Sequence, residues 1–213
     1  MVFKQLLRAF AVAGFLFAGF VSPAQAEPVE IVGFGDSLMA GYELASGEGF
    51  PARLEAALRA RGHEVSIADA GVSGDTTAGG LARLDWSITD GTDGVILELG
   101  ANDMLRGLPP EKTRDNLEAM IKRLQERGIE VLLAGMLSSP NLGPVYESAF
   151  NSIYPDLADK YDLLLYPFFL DGVTGVAGMA LSDGMHPNAK GINQMVEGFV
   201  PVAEEFIARL EAR

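Results

Sequence analysis

The chain has 213 residues, 48% hydrophobic and 21% charged, which suits one folded domain with a sizeable core and excludes a disordered segment. Sixteen Lys and Arg face 29 Asp and Glu, a formal net charge of -13, so a nucleic-acid backbone would be repelled. There is no cysteine, and His63 and His186 are the only two histidines, which removes disulfides, a thiol nucleophile, Cys-based zinc sites and a three-histidine metal centre.

Residues 1–26 read as a cleavable export signal. Lys4 and Arg8 give a basic start, Ala9 to Val21 is an apolar run, and Ala24 and Ala26 supply the small-residue spacing that a signal peptidase recognises. The run is too short for a bilayer span of roughly 20 apolar residues. Export to the periplasm or the medium follows. The mature chain, residues 27–213, is expected to be a soluble monomer with no membrane span.

The mature chain then alternates strand and helix. Val29–Phe34 is a short β-branched strand. Glu48–Arg61 carries Leu54, Ala57 and Leu58 at helical spacing, with Gly62 as its stop. Glu64–Ala68 is a second strand and Thr76–Ser87 a helix. Gly94–Leu99 is a near-continuous apolar run, as expected of a central strand covered on both faces. Pro109 and Pro110 open the next helix, lined by Leu117, Met120, Ile121 and Leu124 and closed by Gly128. Ile129–Ala134 is a fourth strand, Pro144–Tyr161 a helix and Leu163–Tyr166 a fifth strand. After a long loop, the last helix starts at Pro187 and buries Ile192, Met195, Val196, Phe199, Ala203, Phe206 and Leu210 along one stripe. This alternation predicts an α/β fold, a five-stranded parallel sheet with helices on both faces in a three-layer α/β/α arrangement. Its site belongs beyond the C-terminal strand ends, where strand order reverses.

Polar, glycine-rich text stands at those ends. Gly33-Phe34-Gly35-Asp36-Ser37-Leu38 lacks the third glycine of a dinucleotide fingerprint and the lysine of a phosphate loop. What remains is a serine at a strand-to-helix turn, either a helix cap or a nucleophile beside free N–H groups. Ala70–Thr76 contains Gly74, whose backbone N–H can approach a reacting carbonyl oxygen, or which simply makes a turn. Leu99–Asp103 contains Asn102, a neutral amide donor or an Asx-turn. Asp183-Gly184-Met185-His186-Pro187 places a carboxylate three residues before a histidine, able to fold back on one ring nitrogen and leave the other as base. Each segment alone reads more simply as local structure. Together they supply nucleophile, base, orienting acid and oxyanion donors, the parts of a serine hydrolase. His63 has no polar text around it and reads as structural. Asp36, Asp75 and Asp103 read as turn and network formers.

With these segments in hand, the chain resembles the SGNH, or GDSL, hydrolase family. The family blocks stand here as Gly-Asp-Ser-Leu at 35–38, Ser-Gly-Asp-Thr at 73–76, Gly-Ala-Asn-Asp at 100–103 and Asp-Gly-Met-His-Pro at 183–187. Gly-Leu-Ala-Arg-Leu at 80–84, Leu-Arg-Gly at 105–107 and Tyr-Pro-Phe-Phe at 166–169 are similar to the exported thioesterase–lysophospholipase and arylesterase branch. The resemblance implies a flavodoxin-like sheet, Ser37 as nucleophile with Asp183 and His186 completing the triad, and an oxyanion hole of Ser37, Gly74 and Asn102. It implies no metal and no cofactor. The substrate would be a small acyl ester or lipid: an aryl or short-to-medium acyl ester, an acyl thioester or a lysophospholipid. Leu105, Leu137, Pro140, Leu142 and Phe168 are candidates to meet the acyl chain. The stretch Met136–Pro144 is closer to arylesterase text than to thioesterase text, so acyl preference does not carry over from the thioesterases.

Three rival readings remain. A carbohydrate O-deacetylase would use the same triad, though Trp86 alone offers little of a sugar platform. A metal-dependent phosphoesterase would need Asp36, Asp75, Asp103, Asp183 and His186 as ligands and leave the serine idle. A non-catalytic lipid-binding module would have no use for Ser37 together with Asp183 and His186.

Overall fold

A computed structural model describes residues 27–213. The export signal read from residues 1–26 lies outside the described residues. The strands are β1 (Val29–Gly35), β2 (Val65–Gly71), β3 (Gly94–Leu97), β4 (Glu130–Ala134) and β5 (Leu164–Tyr166). They form one parallel sheet in the order β2-β1-β3-β4-β5. The chain steps outward from β1 to β2, then crosses back to β3 on the other side of β1. That reversal leaves a crevice between the C-terminal ends of β1 and β3.

The helices are α1 (Ser37–Ala40), α2 (Phe50–Arg59), α3 (Thr77–Ser87), α4 (Ala101–Leu105), α5 (Pro110–Glu126), α6 (Pro144–Asn151), α7 (Ile153–Tyr161) and α8 (Ala189–Glu211). Helices α2 and α8 pack together on one face of the sheet, and α3, α5 and α7 follow one another on the other. The apolar spacing read from the sequence explains these contacts. Leu54 and Leu58 of α2, Leu117, Met120, Ile121 and Leu124 of α5, and Ile192, Phe199 and Phe206 of α8 are all buried. Phe50, Phe169 and Phe199 meet edge-on at centroid distances of 4.7 to 6.0 Å, tying α2 and α8 to the chain leaving β5. His63 lies 3.4 Å from Glu204 on α8, a peripheral pairing.

Several boundaries differ from the sequence expectation, β2 running on to Gly71 rather than ending at Ala68 and α2 spanning Phe50–Arg59 rather than Glu48–Arg61. The expected helix Pro144–Tyr161 is two helices that meet at Ser152. Pro155 has no N–H to give the Asn151 carbonyl, and proline is tolerated only in the first turn of a helix, so a new helix begins just before it. The third strand stops at Leu97 rather than Leu99. The last helix starts at Ala189, because Pro187 pairs with Ala180 in an antiparallel bridge and Asn188 becomes the cap.

Asn188 joins the long loop after β5 to α8. Its Oδ1 accepts from the Lys190 and Gly191 N–H groups at 3.0 and 3.1 Å. Its Nδ2 donates to the Gly178 and Ala180 carbonyls at 2.9 and 3.0 Å. Asn188→Ala removes the cap and both loop bonds. It should cost about 2 kcal/mol in urea unfolding, and Asn188→Asp, which keeps the cap, should lose less.

Candidate active site

The site is assembled by three strand ends and the turn before α8. Asp36 ends the extended run of β1 and caps α1, its Oδ1 accepting from the Leu38 N–H at 3.0 Å. Ser37 is thereby the first residue of a helical turn, with its N–H directed away from the sheet ladder. From the far side of the crevice, the turn Asp183–His186 brings in a ring nitrogen. His186 Nε2 lies 2.8 Å from Ser37 Oγ, and His186 Nδ1 lies 2.6 Å from Asp183 Oδ2.

The carboxylate fixes the tautomer. A carboxylate only accepts, so Nδ1 carries the proton and Nε2 presents a lone pair to the Ser37 hydroxyl. Asp183 Oδ1 accepts from the N–H groups of Met185 and His186 at 2.9 and 3.1 Å, which folds the turn back on itself. The hydrogen bond from His186, helped by these two N–H groups, holds the Asp183 carboxyl down to about 2. Leu181 donates to the His186 carbonyl at 2.7 Å and anchors the turn to the bridge behind it. The Tyr42 ring leans on the imidazole, with centroids 4.5 Å apart.

Asn102, the second residue of α4, gives one amide hydrogen to Asp36 Oδ2 at 2.9 Å. Its other amide hydrogen is left for the crevice. Asp36 is fully buried, and that burial pushes its carboxyl up to about 6 against the opposing bonds from Leu38 and Asn102. The other aspartates face away from the reacting atoms. Asp103 accepts from the Thr77 N–H and hydroxyl at 2.8 and 2.6 Å, and Asp75 pairs with Arg83 at 2.7 Å. Among the described residues no group of three or more His, Asp and Glu is gathered closely enough to hold a metal ion.

Ser37, Gly74, Asn102 and His186 open onto one cavity of about 780 Å³. Leu105, Leu137, Pro140 and Phe168 line it. Leu142 does not; it packs against the hydrophobic core from a single 3-10 turn, Pro140–Leu142. The wall also takes in Met104, Met136, Leu170 and Val173, which the sequence reading passed over. Met136 directly follows the Gly135 that leaves β4, so the strand-end rule would have found it.

Glu98 was also missed. It lies one residue beyond β3, is fully buried, and accepts the Asp36 N–H at 3.2 Å through Oε2, while Oε1 has no partner. A Cβ on Gly35 would stand 2.5 Å from Glu98 Oε2, so glycine is required there for the acid to reach the turn. Burial, reinforced by the neighbouring Asp36 charge, holds the Glu98 carboxyl well above the usual range. The folded chain then binds a proton that the unfolded chain releases above about pH 4.5. Stability therefore falls as pH rises from there toward the folded-state pKa. Glu98→Gln removes this slope. By calorimetry its thermal midpoint should match the parent near pH 5 and exceed it at pH 8, by about 2–4 °C for each kcal/mol recovered.

Comparison with known proteins agrees with this geometry. The family model described as GDSL-like Lipase/Acylhydrolase family matches residues 34–192. "Esterase TesA" of Pseudomonas aeruginosa is 37% identical over 184 residues, 86% of this chain and 92% of that protein. "Arylesterase" of Vibrio mimicus is 37% identical over 191 residues, 89% of this chain and 94% of that protein. The crystal structure of AlinE4, an SGNH-hydrolase family esterase, superposes with a TM-score of 0.72 at 45% identity, covering 86% of this chain and 98% of that one.

Proposed function

From a chain that belongs to the GDSL-like lipase/acylhydrolase family, we propose a serine esterase that cleaves carboxylic esters through an acyl-enzyme on Ser37. The observation that carries this reading is the unbroken relay from Asp183 Oδ2 to His186 Nδ1 at 2.6 Å and from Nε2 to Ser37 Oγ at 2.8 Å. As Oγ attacks the acyl carbon, its proton passes to Nε2, and the imidazolium is stabilised by the Asp183 anion. The carbonyl oxygen becomes an oxyanion, met by the N–H groups of Ser37 and Gly74 and the free amide hydrogen of Asn102. Nε2 then gives its proton to the departing alcohol or thiol. Water attacks the acyl-enzyme by the same route, and the acid and Ser37 are released.

The apolar wall suits an uncharged hydrocarbon acyl group. Aryl esters and short-to-medium acyl esters fit this reading, and the names of two relatives, an esterase and an arylesterase, support ester hydrolysis. Acyl thioesters and lysophospholipids are further substrates to be assayed. The cavity's aromatic side chains are Tyr42 and Phe168, with Tyr42 already tilted against His186, which gives a sugar O-deacetylase no added support. The chain is proposed to act as a monomer without metal or cofactor after export and cleavage following Ala26. Among the described residues no helix is long and apolar enough to cross a membrane.

Ser37→Ala should abolish fluorophosphonate labelling and p-nitrophenyl butyrate hydrolysis; labelling that persists would remove Ser37 as nucleophile. Asn102→Ala should keep the fold by circular dichroism and lower kcat by about 10²–10³. A loss below tenfold would take Asn102 out of the oxyanion hole.

A further inference from the structure

Arg83 lies on α3, makes no contact with the cavity, and is nonetheless largely buried, its side chain only 12% exposed. Four of its five guanidinium N–H groups are bonded, three of them to the strand ends and turns that bear the proposed backbone donors. Nη2 donates to the Gly35 carbonyl at 2.8 Å, two residues before Ser37. Nε donates to Asp75 Oδ2 at 2.7 Å, one residue after Gly74. Nη1 donates to the Ala70 carbonyl at 2.8 Å, at the end of β2, and to Ser87 Oγ at 3.3 Å. The guanidinium carbon stands 4.0 Å from the centroid of the Phe34 ring, so the planar group is stacked as well as bonded.

The surroundings are built for this arrangement. The Gly35 carbonyl also accepts the Val72 N–H at 3.0 Å, so the two turns meet at one oxygen. Asp75 lies back over α3, where a Cβ on Gly79 would fall on its Oδ1. On its other side the Gly74 carbonyl is held by Arg106 Nη2 at 2.7 Å. Only a flat guanidinium can reach a carboxylate and two carbonyls in three directions at once; an ammonium is a point charge on a flexible stem.

We infer that Arg83 is a positioning residue for the reaction: by bonding Gly35, Ala70 and Asp75 together it sets the spacing between the N–H groups of Ser37 and Gly74, and so the width of the oxyanion hole. The inference rests on the serine-esterase reading above. An oxyanion donor displaced by a fraction of an ångström loses most of its preference for the tetrahedral oxygen over the planar one, whereas ground-state binding along the apolar wall is untouched. The loss therefore falls on kcat and spares KM.

The test compares Arg83→Gln and Arg83→Lys with the parent protein on p-nitrophenyl butyrate, with rates divided by active sites titrated to completion with a fluorophosphonate. Arg83→Gln should lower kcat about tenfold to a hundredfold, with KM within about threefold of the parent. The second-order rate of phosphonylation, which also places an anionic oxygen in the hole, should fall in parallel. Arg83→Lys should recover part of the loss, because it keeps a cation beside Asp75. A lower thermal midpoint with kcat per active site unchanged would mean that Arg83 only stabilises the fold, and would overturn the inference. Should neither variant fold, Asp75→Asn weakens one arm of the clamp and leaves the others; about a threefold to tenfold loss of kcat supports the inference, and an unchanged kcat overturns it. Ser37→Ala is assayed alongside. Hydrolysis surviving there overturns the serine mechanism itself, whereas a dead Ser37→Ala with unaltered Arg83 and Asp75 variants overturns only the role given to Arg83.

Discussion

Everything at the site depends on β1 lying between β2 and β3, with all strands running the same way. Three consecutive strands in sequence then end at neighbouring positions on one edge of the sheet, and each continues into a turn with unpaired N–H groups. Serine follows the first, Gly74 the second and Asn102 the third. A different strand order would carry the same residues and separate them by the width of an intervening strand, about 4.8 Å for each. The fourth segment, with Asp183 and His186, reaches this edge because the loop after β5 is tied back to the start of α8 by Asn188 and the Ala180–Pro187 bridge.

Much of this was legible from residue order. Helical spacing of apolar residues marked α2, α5 and α8, a near-continuous apolar run marked β3, and the polar segments stood where the fold rule looks for a site. Residues at turns were readable because aspartate, asparagine and glycine have few other uses there. The misreadings have a common physical origin. Pro144–Tyr161 carries buried apolar residues on both sides of the break at Ser152, Phe150 on α6 and Ile153 and Leu157 on α7, and only Pro155 marks where the second helix must begin. Leu142 is an apolar loop residue like Leu137 and Pro140, but the single 3-10 turn Pro140–Leu142 leaves it half-buried against the outside of the core rather than in the cavity wall.

Glu98 and Arg83 were harder to see for the opposite reason. Each is a charged type in a place where the local pattern says nothing about its partners. Glu98 sits within an apolar text, Val-Ile-Leu-Glu-Leu, where alternation would put an acid in solvent, yet both faces of this sheet are covered and the side chain is fully buried. Arg83 occupies a helix position that ordinary amphipathicity would expose. Its partners lie 8, 13 and 48 residues away along the chain, and only the packing of α3 onto the ends of β1 and β2 brings them together. Polar groups that bond across elements are written in the tertiary structure, and a periodicity argument has no access to them.

The carboxylates around Ser37 are sorted by environment rather than by type. Asp183 keeps some contact with solvent, accepts three hydrogen bonds, and is held low, so it stays anionic throughout the range in which an imidazolium has to be stabilised beside it. Asp36 is sealed beneath the turn, and that burial raises its carboxyl, while its charge in turn helps to raise the buried Glu98 beside it. Two adjacent buried anions are the expensive arrangement, and a proton held on Glu98 relieves it. Asp36 can then serve as the acceptor that the Asn102 amide needs, while Glu98 still accepts the Asp36 N–H through the oxygen that does not carry the proton. The same side-chain chemistry thus gives an electrostatic partner for the base on one side of the serine and a scaffold for a hydrogen-bond donor on the other, and what separates the two roles is access to water.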